Sequence, residues 1–166
     1  MQRFYVDTNC FITAWYIYYP PSVFASLWEQ LVEKKDLIVL IKPIFDEIEK
    51  PSSPKELKDN PERFQLRSWL VGNTFPVYEV SDEIRMLSLN LEMKYEVTNF
   101  STGANQNDIT LISCSINNDG IVVTYESDQP EKPRKKGKYK IPLICREEGV
   151  GCITFVQMLQ KLCIRM

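Results

Sequence analysis

The sequence predicts an α/β fold in which helices cover both faces of a mainly parallel sheet. Apolar segments at residues 3–6, 37–41 and 121–124 are typical of short strands, and the aliphatic run at 37–41 suits a strand buried on both faces. Segments of helical length separate them, and strands that alternate with helices favour parallel pairing. The chain has 166 residues and no internal repeat, so we expect one domain spanning residues 1–166.

The elements can be assigned in order from apolar spacing, prolines and capping residues. The predicted strands are residues 3–6, 37–41, 75–78, 121–124 and 152–153, where 75–78 is a short strand or an extended link. The predicted helices are residues 9–18, 23–32, 43–47, 61–70, 82–91, 108–117, the segment between Pro142 and Gly149, and 155–162.

Several boundaries depend on residues that start or stop helices. Pro20-Pro21 cannot continue the first helix, and Ser22 is predicted to cap the second. Asn107 is predicted to cap the helix after the loop at 96–106, and Gly120 to follow it in a left-handed conformation. Residues 51–60 are predicted to be a polar, proline-containing connection.

Composition excludes several classes of function. The chain has no histidine, so it cannot form a Ser-His-Asp or Cys-His nucleophile, and it has no glycine-rich nucleotide loop. The net charge of −2 means that any attraction to phosphate must be local. Five scattered cysteines favour reduced thiols over a zinc site. With no membrane-length apolar run and no room for a signal peptide before the first strand, we expect a cytoplasmic protein.

Four acidic residues lie where the functional residues of a parallel sheet are expected. Asp7 and Glu126 follow predicted strands, Glu47 lies in a helix that follows a strand, and Asp108 begins a helix. The carboxyl ends of parallel strands meet at one edge of a sheet, so the four carboxylates are expected to lie close together. Without a cation they would repel one another, and Mg²⁺ or Mn²⁺ is the hard ion that oxygen ligands favour. The sequence therefore predicts a metal site for phosphate chemistry.

Each acid also has an ordinary structural interpretation. Asp7 would cap the helix after the first strand, and Asp108 would complement a helix dipole. Glu47 would be solvent-exposed, although apolar neighbours favour an inward position. Glu126 would be a solvated loop acid, and Asp128 would then serve as the fourth acid.

The ordered set of acids resembles the PIN-domain family of metal-dependent ribonucleases. The motifs that carry the resemblance are Val6-Asp7-Thr8-Asn9, Ile44-Phe45-Asp46-Glu47-Ile48, Asn107-Asp108-Ile109-Thr110-Leu111-Ile112 and Val122-Val123-Thr124-Tyr125-Glu126. The segments from Tyr18 to Trp28 and from Ile141 to Cys145 are similar to a bacterial PIN subgroup related to the VapC-type toxins of toxin–antitoxin pairs.

This resemblance implies a PIN-like α/β/α sandwich that cleaves RNA with Mg²⁺ or Mn²⁺. It implies metal binding by Asp7, Asp108 and Glu126, with Glu47 as a ligand or a water-orienting base, and hydrolysis by an activated water without a covalent intermediate. It also suggests a homodimer and a small antitoxin partner. The sequence departs from the family at Glu126, where aspartate is common.

Three small polar residues match positions that support the acids in the family. These residues are Thr8, Asn9 and Thr124, which would hold a water or orient the acids. Asn9 has an alternative role as the cap of the first helix.

A basic segment follows Glu126 directly. Its cationic residues are Lys132, Arg134, Lys135, Lys136, Lys138 and Lys140. Placed beside the acids, this run is predicted to bind an RNA backbone, whereas the alternative is a disordered, solvated loop. The aromatic residues Trp15, Tyr16, Tyr18 and Tyr19 favour a core or an interface over stacking on bases.

Two other functions remain open at this stage. A non-catalytic PIN-like scaffold that binds RNA or protein is consistent with the departure at Glu126. A DNA-directed nuclease would use the same metal chemistry. A phosphatase with an aspartyl nucleophile is disfavoured, because Asp7-Thr8-Asn9 lacks the second aspartate of an Asp-x-Asp motif.

Overall fold

The computed structural model describes residues 2–165 and confirms the predicted α/β fold. Five parallel strands form one central sheet in the order β3-β2-β1-β4-β5. The strands are β1 (Phe4–Val6), β2 (Ile38–Ile41), β3 (Val77–Tyr78), β4 (Ile121–Val123) and β5 (Gly151–Ile153). The short strand near residue 77 is therefore a true member of the sheet, at its edge.

The strand order places a topological switch point at the centre of the sheet. The chain moves outward from β1 to β2 and β3, and then returns to the other side of β1 to form β4 and β5. Phe4 pairs with Ile38 on one side and with Ile121 on the other. In open α/β sheets, ligands bind outside the carboxyl ends of the strands at such a point. A functional site is therefore expected at the carboxyl ends of β1 and β4.

Helices cover both faces of the sheet. The α-helices are α1 (Thr8–Thr13), α2 (Ala25–Glu33), α3 (Lys42–Glu47), α4 (Pro54–Asp59), α5 (Gln65–Gly72), α6 (Asp82–Lys94), α7 (Gln106–Asn117), α8 (Ile141–Glu148) and α9 (Phe155–Lys161). A π-helical segment, Ala14–Tyr18, continues α1, and short 3₁₀ turns lie at Lys35–Leu37, Pro61–Phe64 and Lys136–Lys138.

Two hydrophobic cores separate according to the alternation of side chains along the strands. Phe4 and Val6 face the layer of α1, α2, α5 and α9, whereas Tyr5 faces the layer of α6, α7 and α8. The first core contains three tryptophans, with the Trp15 and Trp28 rings 4.7 Å apart. Trp15 is therefore a core residue, while Tyr16 and Tyr18 of the same aromatic segment are exposed.

The predicted structure was wrong at the start of α2 and at residues 54–59. Ser22 does not cap α2, which begins at Ala25 after a turn in which the Phe24 N–H donates to the Pro20 carbonyl. Residues 54–59 form α4 instead of an irregular connection, because the Ser53 hydroxyl accepts from the Glu56 N–H. Pro54 occupies the first helical position, where proline is favoured.

Within residues 2–165, no helix is both long and apolar enough to cross a membrane. All five cysteines are free thiols, and three of them are buried.

In the turn after α7, the residue with the left-handed conformation is not the one that was predicted. Asp119 adopts φ 50°, and Gly120 does not have a positive φ. Gly120 is required for a different reason, since a Cβ atom there would lie 2.2 Å from the Tyr5 ring. The glycine allows the turn to pass against β1, at the amino end of the sheet.

We predict that Gly120→Ala destabilises the protein by about 1–3 kcal/mol, the usual cost of overpacking a core. Gly72→Ala is the matched control, because a Cβ at Gly72 meets no atom within 4 Å. That variant should be neutral or slightly stabilised. Urea unfolding of both variants measures the difference, and equal stabilities would contradict the close contact at Gly120.

Candidate functional site

Asp7 lies at the switch point and is almost fully buried, with 1% of its surface exposed. Its N–H donates to the Val123 carbonyl at 2.9 Å, which fixes the end of β1 against the end of β4. Its carboxylate accepts from the Asn9 N–H at 3.2 Å and from the Thr124 hydroxyl at 3.1 Å. Asp7 is the N-cap of α1, so the alternative role for Asn9 as that cap is wrong.

The pKa of Asp7 is raised to about 6, chiefly because burial disfavours the charged form. The bonds from Asn9 and Thr124 oppose this shift, while the charges of Glu126 and Glu47 increase it. A buried carboxyl group with a perturbed pKa at a switch point is a candidate for function.

Asp108 lies in the first turn of α7, but the helix begins earlier than predicted. Asn105 is the N-cap, and its side chain accepts from the N–H groups of Asn107 and Asp108. The Asp108 carboxylate accepts from the Asn105 N–H at 2.8 Å, which completes a capping box. The prediction that Asn107 caps this helix was therefore wrong.

The pKa of Asp108 is raised to about 7, again chiefly by burial. The Asn105 N–H opposes the shift, and the charges of Asp7, Glu126 and Glu47 increase it. Each buried aspartate thus lies within electrostatic reach of the other acids. The fold brings the four predicted carboxyl groups into one neighbourhood.

Glu126 is connected to Asp7 through Thr124. The Thr124 hydroxyl, which donates to Asp7, accepts from the Glu126 N–H at 3.1 Å. The Glu126 carboxylate accepts from the Ile141 N–H at 2.7 Å, at the start of α8. Asp128 instead pairs with Arg146 at 3.0 Å and is exposed, so Glu126 is the acid of this segment that joins the site.

Glu47 lies at the exposed rim of the site. The prediction that Glu47 lies on the apolar face of α3 was wrong, since Glu47 is exposed whereas Ile44, Phe45 and Ile48 are buried. The Glu47 carboxylate accepts from the Asn107 side chain at 2.6 Å, which connects α3 to α7. The buried Thr8 hydroxyl donates to the Ile44 carbonyl, so Thr8 positions α3 beside α1.

Each of the four carboxyl groups accepts hydrogen bonds from the protein, and the four do not form a preassembled set of metal ligands. Within the described chain, no three carboxyl or thiol side chains converge closely enough to form a ready metal-binding group. Asp108, Glu126 and Glu47 each use one oxygen in the bonds described above. A carboxylate carries two oxygens with about four lone pairs, so these acids retain acceptor capacity.

The basic segment is anchored beside the site, unlike a disordered loop. The Gln129 side chain accepts from the Lys140 N–H and donates to the Lys138 carbonyl. The Gly103 and Ala104 N–H groups donate to the carbonyls of the segment at residues 137 and 139. Lys132 pairs with Glu147 at 2.7 Å. The other exposed cations of this segment are Arg134, Lys135, Lys136 and Lys138.

Several residues of the site were not predicted. Asn105 was detectable, because asparagine three residues before Asp108 is the pattern of a capping box. Arg146 and Gln157 line a cavity of about 410 Å³ that adjoins Glu126 and Thr124. No local pattern places these two residues there, since they come from α8 and α9.

Comparisons with known proteins support the fold. No curated protein matches the chain. A solved structure described as the crystal structure of PAE2754 from Pyrobaculum aerophilum is similar, with a TM-score of 0.53 and 11% identity. The match covers 99% of this chain and 91% of that chain, and at this identity it shows the fold alone. A family model described as "Domain of unknown function (DUF4411)" matches residues 4–166, and the chain therefore belongs to this family.

Proposed function

We propose that this chain is a metal-dependent endoribonuclease, with Asp7, Asp108 and Glu126 as the metal ligands and Glu47 beside them. The observation that carries the proposal is the pair of buried aspartates at the switch point. Their pKa values are raised to about 6 and about 7, in part by the charges of the neighbouring acids. A site that holds several carboxylates in a poorly solvated position favours a cation.

The donor atoms of these residues, though not a closed arrangement of them, suit a hard divalent cation. Each donor in the acidic group is an oxygen, which is the ligand type that Mg²⁺ and Mn²⁺ prefer. When bound, such an ion would make a water molecule more acidic and stabilise negative charge on a phosphate.

The chain's own residues have separable roles in this proposal. The bonds from Asn9 and Thr124 fix the Asp7 carboxylate, so Asp7 is an oriented ligand. Glu126 is held by the same threonine through its backbone, and its second oxygen remains for a ligand role. Glu47 is exposed, so it is placed to orient a water and accept its proton without the cost of burying charge.

The anchored basic segment supports a nucleic-acid substrate. Its exposed cations lie on the loop between Glu126 and α8, so phosphates bound there would pass close to the acids. RNA is proposed over DNA on the resemblance to PIN-domain ribonucleases, and that resemblance also motivates a homodimer.

A small antitoxin would be a partner that covers the site. Exposed Ile17 and Tyr18 would be buried by such a partner, and the Tyr18 ring is 5.7 Å from Tyr125.

A second function is favoured by the hydrogen bonds of the acids. Asp108 closes a capping box, Glu126 binds the start of α8, and Glu47 binds Asn107. In a non-catalytic scaffold, the acids would serve only to stabilise the fold through these hydrogen bonds. This alternative predicts that the protein neither binds Mn²⁺ nor cleaves RNA.

Asp7→Asn tests the nuclease directly. The exchange keeps the size of the side chain and removes its charge, so we expect RNA cleavage to fall by more than about 100-fold, since a bound metal contributes several kcal/mol to catalysis. Purified protein is incubated with a mixed RNA pool and Mn²⁺, with EDTA in a parallel reaction.

Asp82→Asn is the matched control, because the Asp82 side chain is 96% exposed on α6 and far from β1 in sequence. It should cleave as the unmodified protein does. Full activity in Asp7→Asn, or activity that persists in EDTA, would contradict the proposed site. Absence of both cleavage and Mn²⁺ binding in the unmodified protein would favour the scaffold.

The raised pKa values predict that the metal-free protein loses stability as the pH rises. In the unfolded state the two aspartates have the ordinary pKa of 3.8, whereas in the folded state their pKa values are about 6 and about 7. At pH values between these limits the folded state therefore binds more protons than the unfolded state. This contribution to stability is complete below the ordinary pKa and is lost as the pH rises through the folded values. For Asp7, the shift corresponds to on the order of 3 kcal/mol of unfolding free energy.

Urea unfolding in EDTA at about pH 4.5 and about pH 7.5 measures this effect. Asp7→Asn should remove part of the pH dependence, whereas Asp82→Asn should retain it. Mn²⁺ should stabilise the protein more at the higher pH, because protons compete with the metal for the same carboxylates. A Mn²⁺ effect that is equal at both pH values would argue against these carboxylates as ligands.

A further inference from the structure

A cavity of about 410 Å³ opens beside the acidic site. Its wall includes Thr124 and Glu126, so the cavity and the acids share residues. Its apolar lining comes from Pro142 of α8, Val150, and Ile153 of β5. Ligand pockets in proteins typically enclose about 300–1,000 Å³, so this volume suits one small ligand or one unit of a polymer.

The cavity has little positive charge to offer an anion. Its cation is Arg146, whose guanidinium donates to both Asp128 carboxylate oxygens and to the Gln129 carbonyl. The Glu126 carboxylate lies in the same wall. A phosphate placed in the cavity would meet a neutralised arginine and an acid, so the electrostatics favour an uncharged group.

One side of the cavity carries polar groups that can recognise the edge of a ligand. Thr154 and Gln157 form the capping box of α9, in which the Gln157 carbonyl oxygen accepts from the Thr154 N–H at 2.9 Å. That bond fixes the orientation of the Gln157 amide. In the part of the chain that the structure describes, no hydrogen bond engages its Nε2 group, so a ligand can accept from it.

We propose that this cavity binds one nucleobase of the single-stranded substrate, next to the phosphate that is cleaved. The inference rests on the proposed nuclease function and assigns the site a specificity determinant. The apolar wall would contact the faces of the base, and the Gln157 amide would donate to an acceptor on its edge. Gln157 is exposed in the free protein, so a base that covers its amide without offering an acceptor loses the amide's bond to solvent and is disfavoured.

Gln157→Glu is the variant that tests the proposal. A glutamate at this position keeps a carboxylate oxygen for the Thr154 N–H, so the capping box and α9 should be preserved. The exchange removes the Nε2 donor and adds a negative charge. Gln160→Glu is the control, since Gln160 is exposed on the same helix and does not line the cavity. Thermal unfolding checks that both variants remain folded.

The first readout is the distribution of cleavage sites in a random single-stranded RNA pool, sequenced after partial digestion. The unmodified protein should prefer particular bases at one position beside the cleaved bond. Gln157→Glu should reduce that preference by about tenfold, the usual effect of losing a hydrogen bond that reads a substrate. Gln160→Glu should retain the preference. Cleavage without base preference, or a preference unchanged in Gln157→Glu, would overturn the proposal.

The second readout is independent of cleavage. The four nucleosides and inorganic phosphate are titrated separately into ¹⁵N-labelled Asp7→Asn protein, and the amide resonances of residues 150–157 are followed. The proposal expects nucleosides to shift these resonances and Gln157→Glu, in the same background, to weaken the response. Shifts with phosphate but not with nucleosides, or with neither, would overturn it. Nucleoside binding by a protein that shows no RNase activity would reject the nuclease and retain the base-binding cavity.

Discussion

The site depends on one buried interaction, the hydrogen bond from the Thr124 hydroxyl to the Asp7 carboxylate. It connects the residues that follow β1 and β4, the two strands between which the chain reverses its direction across the sheet. Asp7 also starts α1, and Thr124 holds the backbone of Glu126. This contact therefore links the start of a helix, the end of a strand and a second acid. The burial of the Asp7 carboxyl group raises its pKa, and the bond from Thr124 opposes that shift.

The fold compensates its clustered acids with helix N-termini. Asp7 caps α1, Asp108 closes the capping box of α7, and Glu126 binds the first N–H of α8. The N-terminus of a helix carries partial positive charge and unpaired N–H donors, so each acid finds a favourable partner there. This compensation is incomplete for the two buried aspartates, since their pKa values remain raised.

Local pattern was sufficient for the central strands of the sheet, and it singled out Asp7 and Asp108 as candidate acids. The strands at β1, β2 and β4 are apolar runs, and Asp7 is prominent because it ends such a run. What the pattern could not give was the pairing of distant residues. Glu47 with Asn107, and Asp128 with Arg146, are contacts between residues far apart in the sequence. The choice between Glu126 and Asp128 therefore required the three-dimensional structure.

Some local errors had a different cause, namely competition between capping residues. Asn107 and Asn105 are both good caps, and Asn105 is used because Asp108 is then three residues into the helix and can return a bond. At α4 the return bond differs, because the Ser53 hydroxyl accepts from the Glu56 N–H while the Glu56 carboxylate accepts from the Ser52 N–H. A single capping residue predicts a boundary weakly, whereas a reciprocal pair predicts it well.

A nuclease requires that the carboxylates bind a cation, whereas a scaffold requires only their capping hydrogen bonds. The two functions therefore differ in whether a cation can bind without breaking those hydrogen bonds. A hydrogen bond to a charged group contributes about 1.5–3 kcal/mol, so breaking several of them would oppose metal binding. The bonds of Asp108 and Glu126 each use one carboxylate oxygen. The other oxygen of each remains, and a capping bond that fixes one oxygen also restricts where the second can point. On the proposed function, the helix caps would therefore orient the ligands and need not be broken.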